Sequence, residues 1–302
     1  MRHLYAVELR NSVGLITASL LVISLVLASC SAVRSGYVAV SGGGSLYYEE
    51  RGHGDALLLL HGHSLDRRMW AEQVRPFARR FRVICPDFRG YGKSSGQRED
   101  LPMTHAGDIL ALMDSLRVSR AHVVGLSMGA FVAGDLLAMH PDRLLSCVMA
   151  SGSIRRSPGP GEPMDSAESR RRDAEIAALR EKGVDKMKQE WTEQLIAGGG
   201  SRRERMRRPL TTMIGDWTAW QPLHKEVRLF YGREALARLK EVRPDVPVLM
   251  LRGETEHKTG RPQELDYLPC GQLVVLPDCG HMMNMEQPRA FNRAVLQFLK
   301  TQ

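Results

Sequence analysis

The chain has 302 residues, enough to bury a sizeable core and to form one large α/β domain or two small domains. Its composition is that of an ordinary globular protein, while a formal net charge of +8 raises the question of a nucleic-acid partner. Much of the positive excess lies between Arg155 and Arg243, where acidic residues are mixed in and aromatic residues are not interleaved as a single-strand groove requires. We therefore expect a solvated helical surface there and no nucleic-acid partner.

The first thirty residues have the pattern of an export signal. A polar start with basic residues precedes an apolar stretch, 13–28, and the Leu-Ala-Ser-Cys sequence that ends at Cys30 resembles a bacterial lipoprotein cleavage box. We expect residues 1–29 to be removed, Cys30 to be lipidated, and residues 30–36 to form a tether. By the same resemblance, Ser31 in place of an aspartate indicates the outer membrane, with the protein facing the periplasm. The alternative is an uncleaved signal anchor, because the apolar stretch is close to the minimum that spans a bilayer.

Strands and helices alternate through the next part of the chain. The predicted strands are 37–40, 46–49, 56–60, 83–85, 122–126 and 144–150, and helices are predicted at 66–81, 104–116 and 128–139. A Ser-Gly-Gly-Gly-Ser turn joins the first two strands as a hairpin. The continuous apolar run at 56–60 is expected of a strand that is buried on both faces. This alternation favours an α/β fold, in which helices cover both faces of a mostly parallel, twisted sheet.

The alternation stops after Gly152 and resumes at Val246. Only helical patterns lie between, at 164–182, 185–196, 202–213 and 234–241, so residues 154–243 are interpreted as an inserted helical cap. A Pro- and Gly-rich entry and a flexible break at Gly198-Gly199-Gly200 interrupt it. Strands at 246–251 and 272–276 and a helix at 288–299 complete the core, which comprises residues 37–153 and 244–302.

The cap also contains methionine and tryptophan side chains that either line an apolar pocket or form the cap's own core. They are Met164, Met187, Trp191, Met213, Trp217 and Trp220.

The cysteines give no sign of a disulfide framework or a metal site. Cys85 and Cys147 lie in apolar strand patterns, where cysteine packs as a small hydrophobe. Cys270 and Cys279 bracket a predicted strand that would hold them on the order of 27 Å apart, far beyond the reach of a disulfide. Metal-ligand spacing does not occur in the sequence, so we expect no metal.

The stretch around Ser127 is the one about which the chain is organised. A buried strand runs into a helix at Gly125-Leu126-Ser127-Met128-Gly129, which is a G-x-S-x-G sequence. A serine at such a sharp turn has strained backbone dihedrals, and only small neighbours let the strand and helix approach there. The turn lifts the hydroxyl above the carboxyl edge of the sheet and aims the first helical N–H groups at whatever the serine attacks.

With these residues in place, the chain resembles the α/β-hydrolase fold family, in its capped esterase and lactonase-like branch. The resemblance extends from Tyr37 to Lys300. Its motifs occur in the family's order, as Leu60-His61-Gly62-His63, Asp87-Phe88-Arg89-Gly90-Tyr91-Gly92-Lys93-Ser94, Gly125-Leu126-Ser127-Met128-Gly129, Leu251-Arg252-Gly253-Glu254-Thr255-Glu256 and Gly280-His281. The resemblance implies that Ser127 is the nucleophile and that His281 is the general base.

This pairing has a chemical reason, since a serine hydroxyl is a poor nucleophile until a base within hydrogen-bond reach takes its proton. A carboxylate must in turn orient the imidazole. The family usually has Asp three residues past the glycine of the fourth motif. That position is Glu256 here, and Glu254 is the alternative. Asp87 and Asp278 are expected to be structural.

The resemblance further implies an oxyanion hole formed by the backbone N–H groups of Met128 and His63. The side chain of Arg89 is expected to be structural, and those of His63 and His105 have no assigned role.

The function implied is that of a serine hydrolase, which cleaves a carboxylic ester or lactone through an acyl-enzyme and needs no cofactor. The same triad serves hydrolysis of amides or carbon–carbon bonds and cofactor-free perhydrolysis, and these stay open. A serine nucleophile argues against the dehalogenases and epoxide hydrolases of this fold, which use an aspartate. An alternative of another class is a non-catalytic capped module that binds or senses a ligand.

Overall fold

The computed structural model describes residues 32–98, 103–159, 162, 165–224, 229–256 and 261–301. The export signal predicted for residues 1–29 and the lipidation site predicted at Cys30 lie outside the described residues. Within those ranges, no helix is both long enough and apolar enough to cross a membrane.

Eight strands of the described chain form one sheet. They are β1 (Arg34–Val40), β2 (Gly44–Arg51), β3 (Ala56–Leu60), β4 (Arg82–Pro86), β5 (Ala121–Leu126), β6 (Leu144–Ala150), β7 (Val248–Gly253) and β8 (Gly271–Leu276). Their order across the sheet is β1-β2-β4-β3-β5-β6-β7-β8. The β1–β2 and β2–β4 pairs are antiparallel and the remaining neighbours are parallel, which confirms the predicted mostly parallel α/β fold.

The first strand begins at Arg34, whereas the sequence predicted a tether up to residue 36 and a strand from Tyr37. The strand is longer than predicted because seven backbone positions of β1, from Arg34 to Val40, pair in register with β2. The segment between Cys30 and the sheet is correspondingly shorter.

Helices cover the sheet. The described α-helices are α1 (Ala71–Phe77), α2 (His105–Ser115), α3 (Met128–Met139), α4 (Ser166–Lys182), α5 (Val184–Ala197), α6 (Arg207–Asp216), α7 (Trp220–Leu223), α8 (Arg233–Val242), α9 (Met283–Glu286) and α10 (Pro288–Leu299). The helix predicted at 66–81 is shorter, because a 3-10 turn at Arg67–Trp70 precedes α1. Between β6 and β7 the described residues form helices and loops without a strand.

The hydrophobic core lies on both faces of the sheet. On one face, Leu58 and Leu60 of β3 pack in a cluster with side chains of α2, α3 and α8. On the other face, Leu57 and Leu59 pack with side chains of α1 and α10. All four leucines are fully buried, as the continuous apolar run predicted.

The cap backbone packs closely on the core at Gly198–Gly200, where the sequence predicted a flexible break. Gly199 and Gly200 are buried, and the Gly200 N–H donates a hydrogen bond of 2.6 Å to Glu286. A Cβ atom at Gly200 would lie 2.5 Å from the carbonyl oxygen of Asp278. The prediction of flexibility was wrong, because these glycines serve the close approach of two backbones.

The described cysteines are all free. Cys85, Cys147 and Cys279 are buried and Cys270 is exposed. Cys85 and Cys147 each pack in one of the two core clusters, in agreement with their expected role as small hydrophobes.

Candidate active site

Ser127 sits at a strained turn between β5 and α3. Its φ of 56° and ψ of −113° lie outside the regions that L-residues favour. Its N–H donates to the carbonyl oxygen of Ala150 at 2.9 Å, which ties the turn to the end of β6. A Cβ atom at Gly125 would lie 2.1 Å from the carbonyl oxygen of Gly129, and one at Gly129 would lie 2.0 Å from that of Leu60. Both glycines of the G-x-S-x-G sequence are therefore required by close backbone approach.

His281 is paired with Glu256, the predicted carboxylate. Nδ1 of His281 lies 3.0 Å from Oε1 of Glu256, while Oε2 of Glu256 accepts a hydrogen bond of 2.9 Å from the Gly253 N–H. Burial raises the pKa of Glu256, but the hydrogen bonds from His281 and Gly253 outweigh it, and the net pKa is lowered. Glu256 is thus a carboxylate at neutral pH. Because it occupies Nδ1, Nε2 is the ring nitrogen available to a hydroxyl.

Glu254, the alternative carboxylate, shapes the loop that carries His281. Its Oε2 accepts a hydrogen bond of 2.9 Å from the Asp278 N–H. Asp278 in turn accepts hydrogen bonds from the backbone N–H of Ser201, at 2.7 Å, and from its hydroxyl. Neither carboxylate forms a hydrogen bond to the His281 ring in the described structure.

The three predicted catalytic residues line one cavity of about 900 Å³. Ser127, His281 and Glu256 all line it, although they come from the ends of different strands. The serine follows β5, the glutamate follows β7 and the histidine follows β8. The structure therefore brings these residues together at the carboxyl edge of the sheet.

The segments that carry the two predicted oxyanion donors lie beside the serine. The Met128 N–H is the first of α3 and has no acceptor within the helix. The loop that contains His63 passes beside the serine, because a Cβ atom at Gly62 would lie 3.7 Å from Cβ of Ser127. In the part of the chain that is described, neither the Met128 nor the His63 N–H donates to another backbone group.

Comparison with known proteins identifies the family. The model of the alpha/beta hydrolase family matches residues 57–294. The chain belongs to this family.

Similar proteins include 3-oxoadipate enol-lactonase 2 of Acinetobacter baylyi, which is 29% identical over 85% of this chain and 93% of its own length. A 2-hydroxy-6-oxononadienedioate/2-hydroxy-6-oxononatrienedioate hydrolase of Burkholderia vietnamiensis is 29% identical over 84% of this chain and 91% of its own length. Among solved structures, a thermophilic esterase from Thermogutta terrifontis superposes with a TM-score of 0.66 at 26% identity, over 89% of this chain and 98% of the esterase.

Two histidines flank Gly62 in the loop that passes beside Ser127. Nε2 of His61 accepts from the Phe88 N–H at 2.9 Å, and its Nδ1 lies 2.8 Å from the carbonyl oxygen of Gly62. Burial lowers the pKa of His61 and, together with the charge of Arg155, lowers that of His63 to about 4. Both rings are therefore neutral at physiological pH and add no charge near the serine. The His61 ring contacts backbone groups, whereas Nδ1 of His63 lies 2.8 Å from the hydroxyl oxygen of Tyr91.

Two buried ion pairs hold the loop after β4. Asp87 pairs with Arg67 at 2.8 Å and also accepts the Lys93 N–H. Arg89 pairs with Asp108 at 2.6 Å. The structural roles expected of Asp87 and Arg89 are thus seen in their contacts.

Two serines and one glutamate that contact the loops around Ser127 were not predicted from the sequence, and the serines are described first. The hydroxyl of Ser151 donates to the carbonyl oxygen of His281 at 2.9 Å. The hydroxyl of Ser64 donates to the carbonyl oxygen of His63 at 2.5 Å and accepts from the indole N–H of Trp191 at 2.7 Å. Ser64 and Ser151 both have positive φ, at 62° and 51°, which no local sequence pattern predicts for a serine.

A third connection runs through Glu286, which the sequence analysis also did not single out. One carboxylate oxygen accepts from the Gly280 N–H at 2.9 Å and the other accepts from the Gly200 N–H. This fully buried side chain therefore links the cap to the residue that precedes His281.

The cap tryptophans and methionines divide between the two predicted roles. Trp191 lines the cavity at Ser127 and Trp220 lines a second cavity beside it. Met213 and Trp217 are buried in the hydrophobic clusters. Met187 packs against one cluster, and Met164 lies outside the described residues.

Across the described ranges, no group of three or more His, Cys, Asp or Glu side chains is placed to hold a metal ion.

Proposed function

We propose that this α/β hydrolase is a serine hydrolase that cleaves a carboxylic ester or lactone through an acyl-enzyme. The observation that carries the proposal is the His281–Glu256 contact of 3.0 Å in the cavity that Ser127 also lines. The strained turn at Ser127 adds to it, since such strain persists where a function requires an exposed nucleophile.

The acylation half of the reaction uses each of these groups. Oγ of Ser127 attacks the carbonyl carbon of the ester, and its proton passes to Nε2 of His281. The carbonyl oxygen becomes an oxyanion that accepts hydrogen bonds from the Met128 and His63 N–H groups, each worth about 10²–10³ in rate. The bond from carbon to the leaving oxygen then breaks, and the leaving oxygen takes the proton from Nε2.

Deacylation repeats these steps with water. A water oxygen attacks the acyl carbon while Nε2 of His281 accepts a proton, and the bond to Oγ of Ser127 breaks as the proton returns to it. The acid leaves and the enzyme is restored. Glu256 stabilises the imidazolium in both halves, which its lowered pKa permits at neutral pH.

The relatives support this choice of bond. One relative is named a lactonase and one solved structure is named an esterase, and the matches cover 85% and 89% of this chain. The hydrolase of Burkholderia vietnamiensis, which is 29% identical, is named for a substrate that its name calls neither an ester nor a lactone, so hydrolysis of another bond is an outcome that the test must distinguish.

A fluorophosphonate probe and a substrate panel test the proposal on the full chain in detergent. We expect the probe to label Ser127, labelling to disappear in Ser127→Ala, and the panel to show turnover of esters or lactones above matched amides. A folded protein that binds a ligand but is not labelled would instead be a binding module. Labelling with turnover of amides or carbon–carbon bonds alone would contradict the choice of ester.

We also propose that the protein is exported and held at a membrane, with a lipid on Cys30 and the catalytic domain facing the periplasm from the outer membrane. The sheet begins at Arg34, so the tether spans only a few residues at about 3.3 Å each. Val33 and Tyr37, which are 54% and 61% exposed, lie at that end of the chain. Apolar side chains there suit a domain close to a lipid surface.

Intact-mass analysis of the membrane fraction tests this anchor. We expect a chain that begins at Cys30 and carries diacylglycerol, which fractionates with the outer membrane and is released in Cys30→Ser. A chain that still begins at Met1 would contradict the anchor.

A further inference from the structure

Two cavities meet at Ser127. The first, of about 900 Å³, is lined by His281 and Glu256 and is called the histidine cavity. The second, of about 340 Å³, is lined by Met128 and His63 and is called the amide cavity. Ser127 belongs to both, so a substrate at its hydroxyl has a part on each side.

The chemistry determines which part of the ester enters which cavity, and this step rests on the proposed function. The leaving oxygen takes its proton from His281, so the leaving alcohol must lie in the histidine cavity. In the proposed mechanism the carbonyl oxygen must reach the N–H groups of Met128 and His63, and both of these residues line the amide cavity. The rest of the acyl group, attached to the same carbon, therefore extends into the amide cavity.

The amide cavity is the smaller of the two, and about half of its lining is apolar. The apolar side chains are Tyr91, Met128, Phe131, Trp220, Pro222, Leu229 and Phe230, and the uncharged amides of Gln97 and Gln221 also line it. Arg172 also lines it, but its guanidinium donates to the carbonyl oxygens of Gln221 and His224 at 2.6 and 2.9 Å. Arg155, at the boundary of the two cavities, lies over the rings of Phe131 and Phe230. This lining suits a compact, apolar acyl group.

The histidine cavity is larger and positively charged. Four arginines line it, namely Arg155, Arg156, Arg252 and Arg261, against two carboxylates. One carboxylate, Glu256, is bound to His281 and Gly253. The other, Glu264, lies 3.4 Å from Arg156, which also donates to Gln263 at 3.0 Å. Arg261 is paired with Asp266 outside the lining, so the excess positive charge of the cavity rests on Arg155 and Arg252. A cleft with one excess sign of charge concentrates ligands of the opposite sign, and guanidinium groups bind carboxylate and phosphate with directed hydrogen bonds.

We propose that the substrate is an ester of a compact apolar acid in which the leaving alcohol carries an anionic group. The anion, a carboxylate or phosphate, lies in the histidine cavity, where Arg156 and Arg252 determine specificity for it. A lactone would have to place its anionic substituent on the alcohol side of the ring.

Two chromogenic esters that differ only in one carboxylate test the proposal. They are the butanoates of 4-nitrophenol and of 3-carboxy-4-nitrophenol, with each rate divided by that of uncatalysed alkaline hydrolysis. We expect kcat/KM to favour the carboxylate-bearing ester by about ten- to a hundredfold, the range of hydrogen bonds to a charged group. The preference should weaken at high salt, which screens the charges.

Arginine variants test which side chains cause the preference for the carboxylate-bearing ester. Arg156→Ala and Arg252→Ala should each reduce the ratio of the two kcat/KM values severalfold, and Arg156 is suited to substitution because its side chain is 57% exposed. Arg238→Ala is the matched control. Arg238 is exposed on α8, pairs with Glu241 and lines neither cavity, so the ratio should stay as in the parent enzyme.

The reverse substrate tests the orientation. The mono-4-nitrophenyl ester of succinic acid carries its carboxylate on the acyl side. We expect its normalised kcat/KM to be no higher than that of 4-nitrophenyl butanoate. An equal gain from either position, or a ratio near one for the first pair while Ser127 is still labelled by fluorophosphonate, overturns this inference and leaves the proposed function standing. Absence of both labelling and turnover overturns both.

Discussion

Glu256 stands where the family pattern usually has the shorter aspartate, and the structure gives a physical account of how it fits. Its N–H donates to the carbonyl oxygen of Gly253 at 3.1 Å, and its Oε2 accepts from the Gly253 N–H at 2.9 Å. The longer side chain thus folds back on its own turn. Its other oxygen is left for His281.

Exchanging the two glutamates for glutamine distinguishes their roles. Glu256→Gln removes the charge that stabilises the imidazolium of His281, and we expect kcat for 4-nitrophenyl butanoate to fall about 10²–10⁴-fold. Glu254→Gln changes only a contact to the Asp278 N–H and should reduce kcat less than about threefold, as one neutral hydrogen bond replaces a charged one. Small, equal effects on kcat would contradict the assignment of Glu256.

The sequence was informative about this site where a residue type is required by local geometry or by chemistry. Ser127 could be recognised because a strand, two glycines and a helix surround it, and His281 because it follows the last strand in the family's order. Ser64 and Ser151 could not, because the Trp191 indole that binds Ser64 and the His281 carbonyl that binds Ser151 approach them only in the folded chain.

At the scale of elements, the cap contacts both loops that serve Ser127. Trp191 on α5 donates to Ser64, which in turn donates to the carbonyl oxygen of His63. The glycines after α5 contact Asp278 and Glu286, which hold the loop of His281. From the local sequence, a run of three glycines predicts flexibility. The close packing of these glycines depends on core residues that are distant in the sequence.

The first of these contacts is testable by a double-mutant cycle. Trp191→Phe removes the indole N–H and should lower kcat about three- to tenfold, because the loop that presents the His63 N–H is held less firmly. Ser64→Ala should lower kcat by a similar factor. The double variant should have a kcat no lower than that of the more impaired single variant. Strictly additive losses would mean that the two side chains act separately.

The second contact is testable with two glycines. A Cβ atom at Gly200 meets the carbonyl oxygen of Asp278 at 2.5 Å, whereas one at Gly215 meets no atom within 4 Å. We expect Gly200→Ala to lower both the melting temperature and kcat, since the loop of His281 must shift. Gly215→Ala, in helix α6, should leave kcat intact and be neutral or stabilising by about 0.5–1 kcal/mol. Equal kcat in the two variants would argue against this role of Gly200.

At the scale of the whole molecule, the exit of the cap is joined to the core through Asp135 in the middle of α3. Its carboxylate accepts from the Tyr231 N–H at 2.9 Å, and the Arg233 N–H next to it donates to the carbonyl oxygen of Ser157 at the entry of the cap. Burial raises the pKa of Asp135 to about 7, although hydrogen bonds from Tyr231 and Gly232 oppose it. The protonated form is therefore the one that the folded state favours.

This raised pKa makes stability depend on pH in a defined direction. The folded state binds more protons than the unfolded state between the ordinary pKa of aspartate, about 3.9, and about 7, so Asp135 destabilises the fold as pH rises through that range. Asp135→Asn keeps an acceptor without the charge. We expect the free energy of unfolding of the variant, relative to that of the parent, to increase by on the order of 2–4 kcal/mol as the pH rises from 5 to 8. Urea unfolding at each pH measures this difference. A difference independent of pH would contradict the raised pKa.

The mass of the enzyme during turnover is the most direct test of an acyl-enzyme on Ser127. A rapid acid quench with 4-nitrophenyl butanoate should trap a chain heavier by one butanoyl group, and peptide mapping should locate that group on Ser127. The adduct should be absent in Ser127→Ala, and in His281→Ala it should form far more slowly. Turnover of the ester with no acyl group on Ser127 at any quench time would contradict the account.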